Sequence, residues 1–60
     1  MTAKEAREHF GLKDSDTIHK ENIRMLKRNA ESMMNIWSIS KYDRAEIAKD
    51  IEAYNALLKE

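Results

Sequence analysis

The stretch from Thr17 to Ser40 constrains the fold most, because it contains neither the glycine nor the proline that would interrupt a helix. Its apolar residues recur at steps of three and four, which is the spacing of one face of an α-helix. They form a line made of Ile23, Leu26, Ala30, Met33 and Trp37. The pattern predicts one long helix over about residues 16–39, around which the rest of the chain packs.

The apolar face of this helix is wider than contact with one neighbouring helix requires. At roughly 100° per residue, a second apolar line lies about a third of a turn from the first, and Met34 extends the first line on its far side. We expect Met33 and Trp37 to lie in the core. The side chains of the second line and Met34, together with one tyrosine from the following loop, would face a second copy of the chain or another protein. This predicted interface consists of Ile18, Met25, Met34, Ile36 and Tyr42.

The N-terminal residues predict a short helix that ends before the long one. Thr2 and Glu5 have the spacing of a capping box, in which each side chain bonds to the backbone N–H of the other residue. Gly11, the only glycine, suits the left-handed conformation that often terminates a helix. A two-turn helix over residues 3–10 is unstable alone and must dock. We expect Phe10 to be buried against one end of the long helix.

The C-terminal part predicts a further amphipathic helix over about residues 44–59. Asp43 and Glu46 form a second capping-box pattern, and Ser40 offers an alternative start. The apolar line that follows consists of Ile47, Ile51, Tyr54 and Leu58. A short connection between two long helices favours an antiparallel hairpin. The predicted fold is all-α, with a short N-terminal helix plus a long antiparallel helical hairpin in a single domain, either monomeric or assembled as a dimeric helical bundle.

The short length of the chain favours association with another chain. A domain of 60 residues buries only about 60% of the surface its unfolded chain exposes, and this one has no cysteine to form a stabilising disulfide. We therefore expect a homodimer or a protein partner. No apolar run approaches the ~18 residues of a membrane span, and the N-terminus lacks the apolar core of a signal peptide. These features predict a cytoplasmic protein that does not associate with membranes.

Few residues are suited to catalysis. The chain has no cysteine and only two histidines, His9 and His19, which lie ten residues apart across a predicted loop. Its single glycine excludes a glycine-rich loop that would cradle phosphate. A hairpin of this size also has little concavity for a pocket. We therefore expect no enzymatic activity, no cofactor, no metal site and no small-molecule substrate.

Basic residues cluster in the first half of the long helix. Lys20, Arg24, Lys27 and Arg28 share one helical face, a geometry that can follow a phosphate backbone or an acidic partner. The whole chain has 11 basic and 11 acidic residues, so it lacks the overall positive charge typical of nucleic-acid binders. The four basic residues are accordingly candidates for nucleic-acid contact on a neutral protein.

The first 26 residues resemble the helix-turn-helix opening of excisionase-type and MerR-type DNA-binding proteins. The shared elements are the run from Thr2 to Ala6, the pair Phe10–Gly11, Leu12, and Thr17–Ile18 entering a second helix. The resemblance implies that the N-terminal half of the long helix is a recognition helix, with Lys20 and Arg24 facing DNA. Arg7 stands where that motif usually has a small residue, and the turn is one residue longer.

Two functions follow from these patterns. The first is a small non-enzymatic protein-binding module, such as an adaptor, an inhibitor or a phage-type host-takeover factor, that acts by helical-surface association. The second is a small helix-turn-helix-like DNA-binding transcriptional regulator that uses the N-terminal half of the long helix.

Overall fold

Three helices and no strand make up the computed structural model, which describes all of residues 1–60. The helices are α1 (Ala3–His9), α2 (Lys20–Met34) and α3 (Lys41–Leu58). Lys20 Nζ donates a hydrogen bond to the backbone oxygen of Glu60 at 2.6 Å, and Arg44 Nη2 donates to the backbone oxygen of Ile36 at 3.0 Å. Each end of α2 therefore lies beside the opposite end of α3, so the two helices run antiparallel. The predicted all-α fold is confirmed.

The central element is α3, because α1 and α2 both pack against it, whereas no Cα atom of α1 lies within 8 Å of a Cα atom of α2. The best-buried cluster joins Ala6 of α1 to Ala53, Ala56 and Leu57 of α3. Leu57 is fully buried, which stabilises the fold by about 1.5–3 kcal/mol. Around this cluster pack the half-buried side chains of Phe10, Leu12, Ile18 and Ile23.

Both predicted ends of α1 are formed by the expected residues. Thr2 Oγ1 accepts a hydrogen bond from the Glu5 backbone N–H, and the Thr2 N–H donates to Glu5 Oε1, which completes the capping box. The pKa of Glu5 is lowered, chiefly by the hydrogen bond from the Thr2 backbone. At the other end Gly11 has φ +70°, and the Leu12 N–H donates to the Arg7 carbonyl at 2.7 Å. This arrangement is a Schellman motif, which satisfies the last carbonyls of α1.

The segment before α2 is not helical, so the prediction that the long helix begins at about residue 16 is wrong. Arg7 Nη1 donates hydrogen bonds to the backbone oxygens of Lys13 and Asp16 at 2.7 and 2.8 Å, and Asp16 Oδ2 accepts from the Lys13 N–H. These bonds close a turn over residues 13–16. The Asp16 carboxylate thereby caps this turn rather than α2, and Ile18 follows in a non-helical segment and packs against the core.

The helix α2 also ends earlier than predicted, at Met34 rather than at residue 39. Asn35 is its C-cap, and the Ile36 carbonyl is held by Arg44 and by the Ile39 N–H. Ser40 then caps α3 by accepting a hydrogen bond from the Asp43 N–H, so the alternative start at Ser40 is the one used. The break from 35 to 40 gives the chain room to reverse direction.

Three side chains differ from their predicted environment in the core. Met33 is 47% exposed and Trp37 is 89% exposed, so neither is a core residue. Because α2 ends before Trp37, the helical line that would have turned this indole towards α3 is interrupted. Phe10 is half-buried, but its ring stacks on Tyr54 of α3 at 4.9 Å rather than on the long helix.

Candidate association surface

Large apolar side chains remain exposed along α2 and the connection that follows it. Six of them define what we call the apolar surface: Met25, Leu26, Met33, Ile36, Trp37 and Tyr42. Soluble proteins rarely leave so many large apolar groups in one part of the chain without a role in binding. This surface is therefore the feature of the molecule most suited to interaction with another macromolecule.

Along α2 the apolar surface forms a stripe without any charge. At roughly 100° per residue, Met25, Leu26 and Met33 fall on the same side of the helix as Asn22 and Asn29. The first turns of the stripe enclose a shallow depression of about 330 Å³, lined by two asparagines, one methionine and one leucine. All five side chains are exposed. A neighbouring protein would thus meet apolar and neutral polar groups only.

The rest of the apolar surface lies at the closed end of the α2–α3 hairpin. The hydrogen bonds between the N-terminal part of the chain and α3 with its C-terminal extension involve Asp50, Glu52 and Glu60, so α1 docks on the C-terminal half of α3. The closed end projects away from α1 and contributes to the elongated shape of 38 × 20 × 15 Å. Trp37 and Tyr42 are 89% and 86% exposed at this end, without neighbours that would shield their rings.

The five residues predicted as a protein interface fall into two groups. Met25, Ile36 and Tyr42 are exposed and belong to the apolar surface. Ile18 and Met34 are half-buried, and Ile18 packs against the core of its own chain. Ile18 is half-buried because the segment before α2 is not helical and places this side chain against the core, whereas the sequence pattern predicts a helix there.

Three residues of the apolar surface were missed as interface candidates: Leu26, Met33 and Trp37. They belong to the apolar line that was assigned to the core. The neutral residues Asn22 and Asn29 recur beside that line at helical spacing, and this was the sequence feature from which exposure of the line could have been predicted. Paired with Met25 and Leu26, they indicate an uncharged face that is separate from the buried one.

The basic residues of α2 lie on the opposite side from the stripe. Lys20 donates its hydrogen bond to the Glu60 backbone oxygen, whereas Arg24, Lys27 and Arg28 form neither an ion pair nor a side-chain hydrogen bond. Two acidic residues of α3 bind the N-terminal part of the chain: Glu52 forms an ion pair with the terminal amine of Met1 at 3.2 Å, and Asp50 Oδ1 is hydrogen-bonded to His9 Nε2 at 2.7 Å. Three cations on α2 therefore remain available.

A second depression, of about 510 Å³, lies between the end of α1 and α3. Its lining residues are His9, Phe10, Glu46, Lys49 and Asp50. The His9 imidazole bonds Asp50, and Phe10 stacks on Tyr54. Burial and the neighbouring Asp50 charge raise the pKa of Tyr54. These groups are paired with one another across the joint, so this depression serves the docking of α1.

The helix-turn-helix arrangement implied by the resemblance is not formed. That motif joins its two helices by a turn of about 3–4 residues, whereas here residues 10–19 separate α1 from α2, and no Cα atom of one helix lies within 8 Å of a Cα atom of the other. The extra chain length is used by the turn that Arg7 holds.

Comparison with protein-family models, curated proteins and solved structures finds no match. Similarity therefore assigns no activity to the apolar surface. No helix has the combination of length and apolar character that crossing a bilayer requires.

Proposed function

We propose that this chain is a small non-enzymatic protein-binding module that acts by helical-surface association through the apolar surface. The observation that carries the proposal is the exposure of six large apolar side chains on α2 and the hairpin end. Taking ~200 Å² as the area of a fully exposed large side chain, they present roughly 750 Å² to solvent. Exposed patches of several hundred Å² commonly mark binding sites.

The chemistry of these side chains suits a protein partner. Methionine is unbranched and flexible, so Met25 and Met33 can adapt to an irregular surface. Trp37 is of the residue type most enriched among the anchors that dominate binding energy. A helix that offers contacts at steps of three, four and seven binds by laying that face along a groove or another helix. Such a module acts sterically, as an adaptor or an inhibitor does.

Affinity capture from the source cell tests this proposal. The tagged chain is compared with Trp37→Ser and with the matched control Ala48→Ser, which changes an exposed residue on α3. We expect a bound protein that survives nuclease treatment, is retained by the control and loses at least about thirtyfold in affinity with Trp37→Ser, since a binding anchor contributes ≥ ~2 kcal/mol. Because Trp37 is the only tryptophan, its emission should also shift to the blue on binding. A chain that binds neither a cellular protein nor another copy of itself would refute the proposal.

A second candidate function is that of a small DNA-binding transcriptional regulator. It rests on the unpaired cations of α2 and not on a helix-turn-helix arrangement, which the fold does not form. Arg24, Lys27 and Arg28 would contact phosphates, while Lys20 would first have to leave Glu60. We expect duplex binding that weakens steeply with salt, and an Arg24→Gln/Arg28→Gln variant should reduce the salt slope by about 2. Absence of duplex binding at low salt would exclude this function.

A further inference from the structure

We infer that the partner of the apolar surface is a second copy of this chain, bound antiparallel along α2 with Asn29 opposite Asn29. The inference rests on the proposed function and names the partner for the same surface. In such a dimer the two-fold axis passes beside Asn29. A residue that precedes Asn29 by a given number of positions in one copy therefore faces the residue that follows Asn29 by the same number in the other copy.

The stripe is self-complementary about Asn29. In the antiparallel register Met25 of one copy lies opposite Met33 of the other, and both positions lie within α2. Each methionine is four residues, or about 6 Å of helix, from the axis. The two Asn29 amides can donate to and accept from each other, which is a use of asparagine that fixes register between paired helices. Shifting the register by a full turn would lose both the methionine pairs and the asparagine pair.

The charges of α2 do not oppose this pairing. At roughly 100° per residue, every charged residue of the helix lies about 90° or more from the centre of the stripe. Two copies of the stripe therefore approach each other without like charges facing across the interface. A strongly charged partner protein would find no charged side chain on the stripe with which to form an ion pair. Arg24 and Arg28 stay on the outer side of the dimer, exposed as they are in the single chain.

The area of the apolar surface and the small size of the buried core both favour a second copy of the chain as the partner. A stable interface buries at least about 600 Å² per partner. The stripe with Ile36 and Trp37 presents roughly 600 Å² even before its asparagines are counted, at ~200 Å² per large side chain. The chain buries only 6 of its 60 residues, and three members of its four-residue core cluster are alanines. Dimerisation supplies the apolar burial that so small a core lacks.

Single-cysteine crosslinking tests the register, and the absence of native cysteine makes it clean. Under mild oxidation, Asn29→Cys should link to itself, because the axis brings the two positions together. Met25→Cys alone should link at least tenfold more slowly, whereas a mixture of Met25→Cys and Met33→Cys should link readily. A parallel dimer would link Met25→Cys to itself as fast as Asn29→Cys, and that result would overturn the inference.

A charge exchange at the axis gives an independent measurement in solution. Asn29→Glu and Asn29→Lys should each raise the dimer dissociation constant at least tenfold in sedimentation equilibrium, and an equal mixture should restore dimers. Ala48→Glu, which adds the same charge at an exposed position of α3, should leave dimerisation unchanged. A parent chain that stays monomeric at ~100 μM, the range of a weak dissociation constant, overturns the inference. If Trp37-dependent capture of a cellular protein persists in that case, the proposed function stands with a different partner.

Discussion

Replacing Arg7 by glutamine should destabilise the protein far more than a surface substitution on a two-turn helix would. The Arg7 side chain is only 11% exposed. It donates to the carbonyls of Lys13 and Asp16, and it forms a two-pronged pair with the Glu60 carboxylate at 3.0 and 3.1 Å. One guanidinium thus joins α1, the turn over residues 13–16 and the C-terminus of the chain.

The expected magnitude follows from these contacts. Hydrogen bonds to a charged group contribute about 1.5–3 kcal/mol. The ion pair adds about 0.2–1 kcal/mol, since the Glu60 side chain remains 29% exposed. Arg7→Gln should therefore lower the free energy of unfolding by about 2–4 kcal/mol. At ~0.05–0.15 kcal/mol per residue, the total stability of a chain this long is about 3–9 kcal/mol, so the loss is a large fraction of it.

Urea unfolding followed by far-ultraviolet circular dichroism measures this effect. Trp37 fluorescence is unsuitable, because that indole is solvent-exposed in the folded chain. Glu60→Gln is the control, as it removes the ion pair and leaves the bonds to the loop carbonyls, and it should cost at most about 1 kcal/mol. Arg7→Lys should fall between the two, since lysine keeps the charge without the fork. Equal losses for Arg7→Gln and Glu60→Gln would show that Arg7 does not hold the turn.

Two further predictions concern the ends of α1 and its joint with α3. Gly11→Ala should lower the free energy of unfolding by about 1–2 kcal/mol because φ is +70° at this position; no atom lies within 4 Å of the added methyl group, so a steric clash does not contribute. Gly11→Asn should cost less, because asparagine adopts the left-handed conformation more readily than alanine. Equal losses for the two variants would contradict the backbone argument. The pKa of Tyr54 is raised in the folded state by burial and by Asp50, so its stabilising contribution is complete below about pH 10 and is lost as pH rises through the folded pKa. Thermal unfolding between about pH 8 and about pH 11 should show this loss, and Tyr54→Phe should abolish it; persistence of the loss in that variant would assign it elsewhere.

Local signals in the sequence identified the ends of α1 and the residues that form them. The capping box of Thr2 and Glu5 depends on bonds between residues three apart, and the stop at Gly11 depends on the conformation of one residue. The start of α3 at Ser40 was one of the two capping patterns that the local sequence offered, the other being at Asp43. Interactions within a single turn are encoded in adjacent residues, so they can be predicted without knowledge of the rest of the fold.

The candidate site was predicted in part. The wide apolar arc of the central stretch predicts an interface that includes Met25 and Ile36. Both side chains are exposed, and their contact with a second chain or another protein stays a prediction. Trp37 was assigned to the wrong side because the helix was expected to continue through it. The Ile36 carbonyl, which lies beyond the end of α2, accepts a hydrogen bond from Arg44 of the next helix, and this contact between two elements has no signature within α2 itself.

The amino-acid sequence by itself determined that this protein is helical, where α1 begins and ends, and that α2 has more apolar surface than one neighbour covers. Only the tertiary structure decided that α3, rather than the longer apolar stretch, is the centre of the fold. The reason is physical: Ala6, Ala53 and Ala56 are small, so they contribute little to an apolar pattern but permit the close approach of α1 to α3. Of α2 only Ala30 is buried where that helix packs against α3, and the stripe is left to solvent.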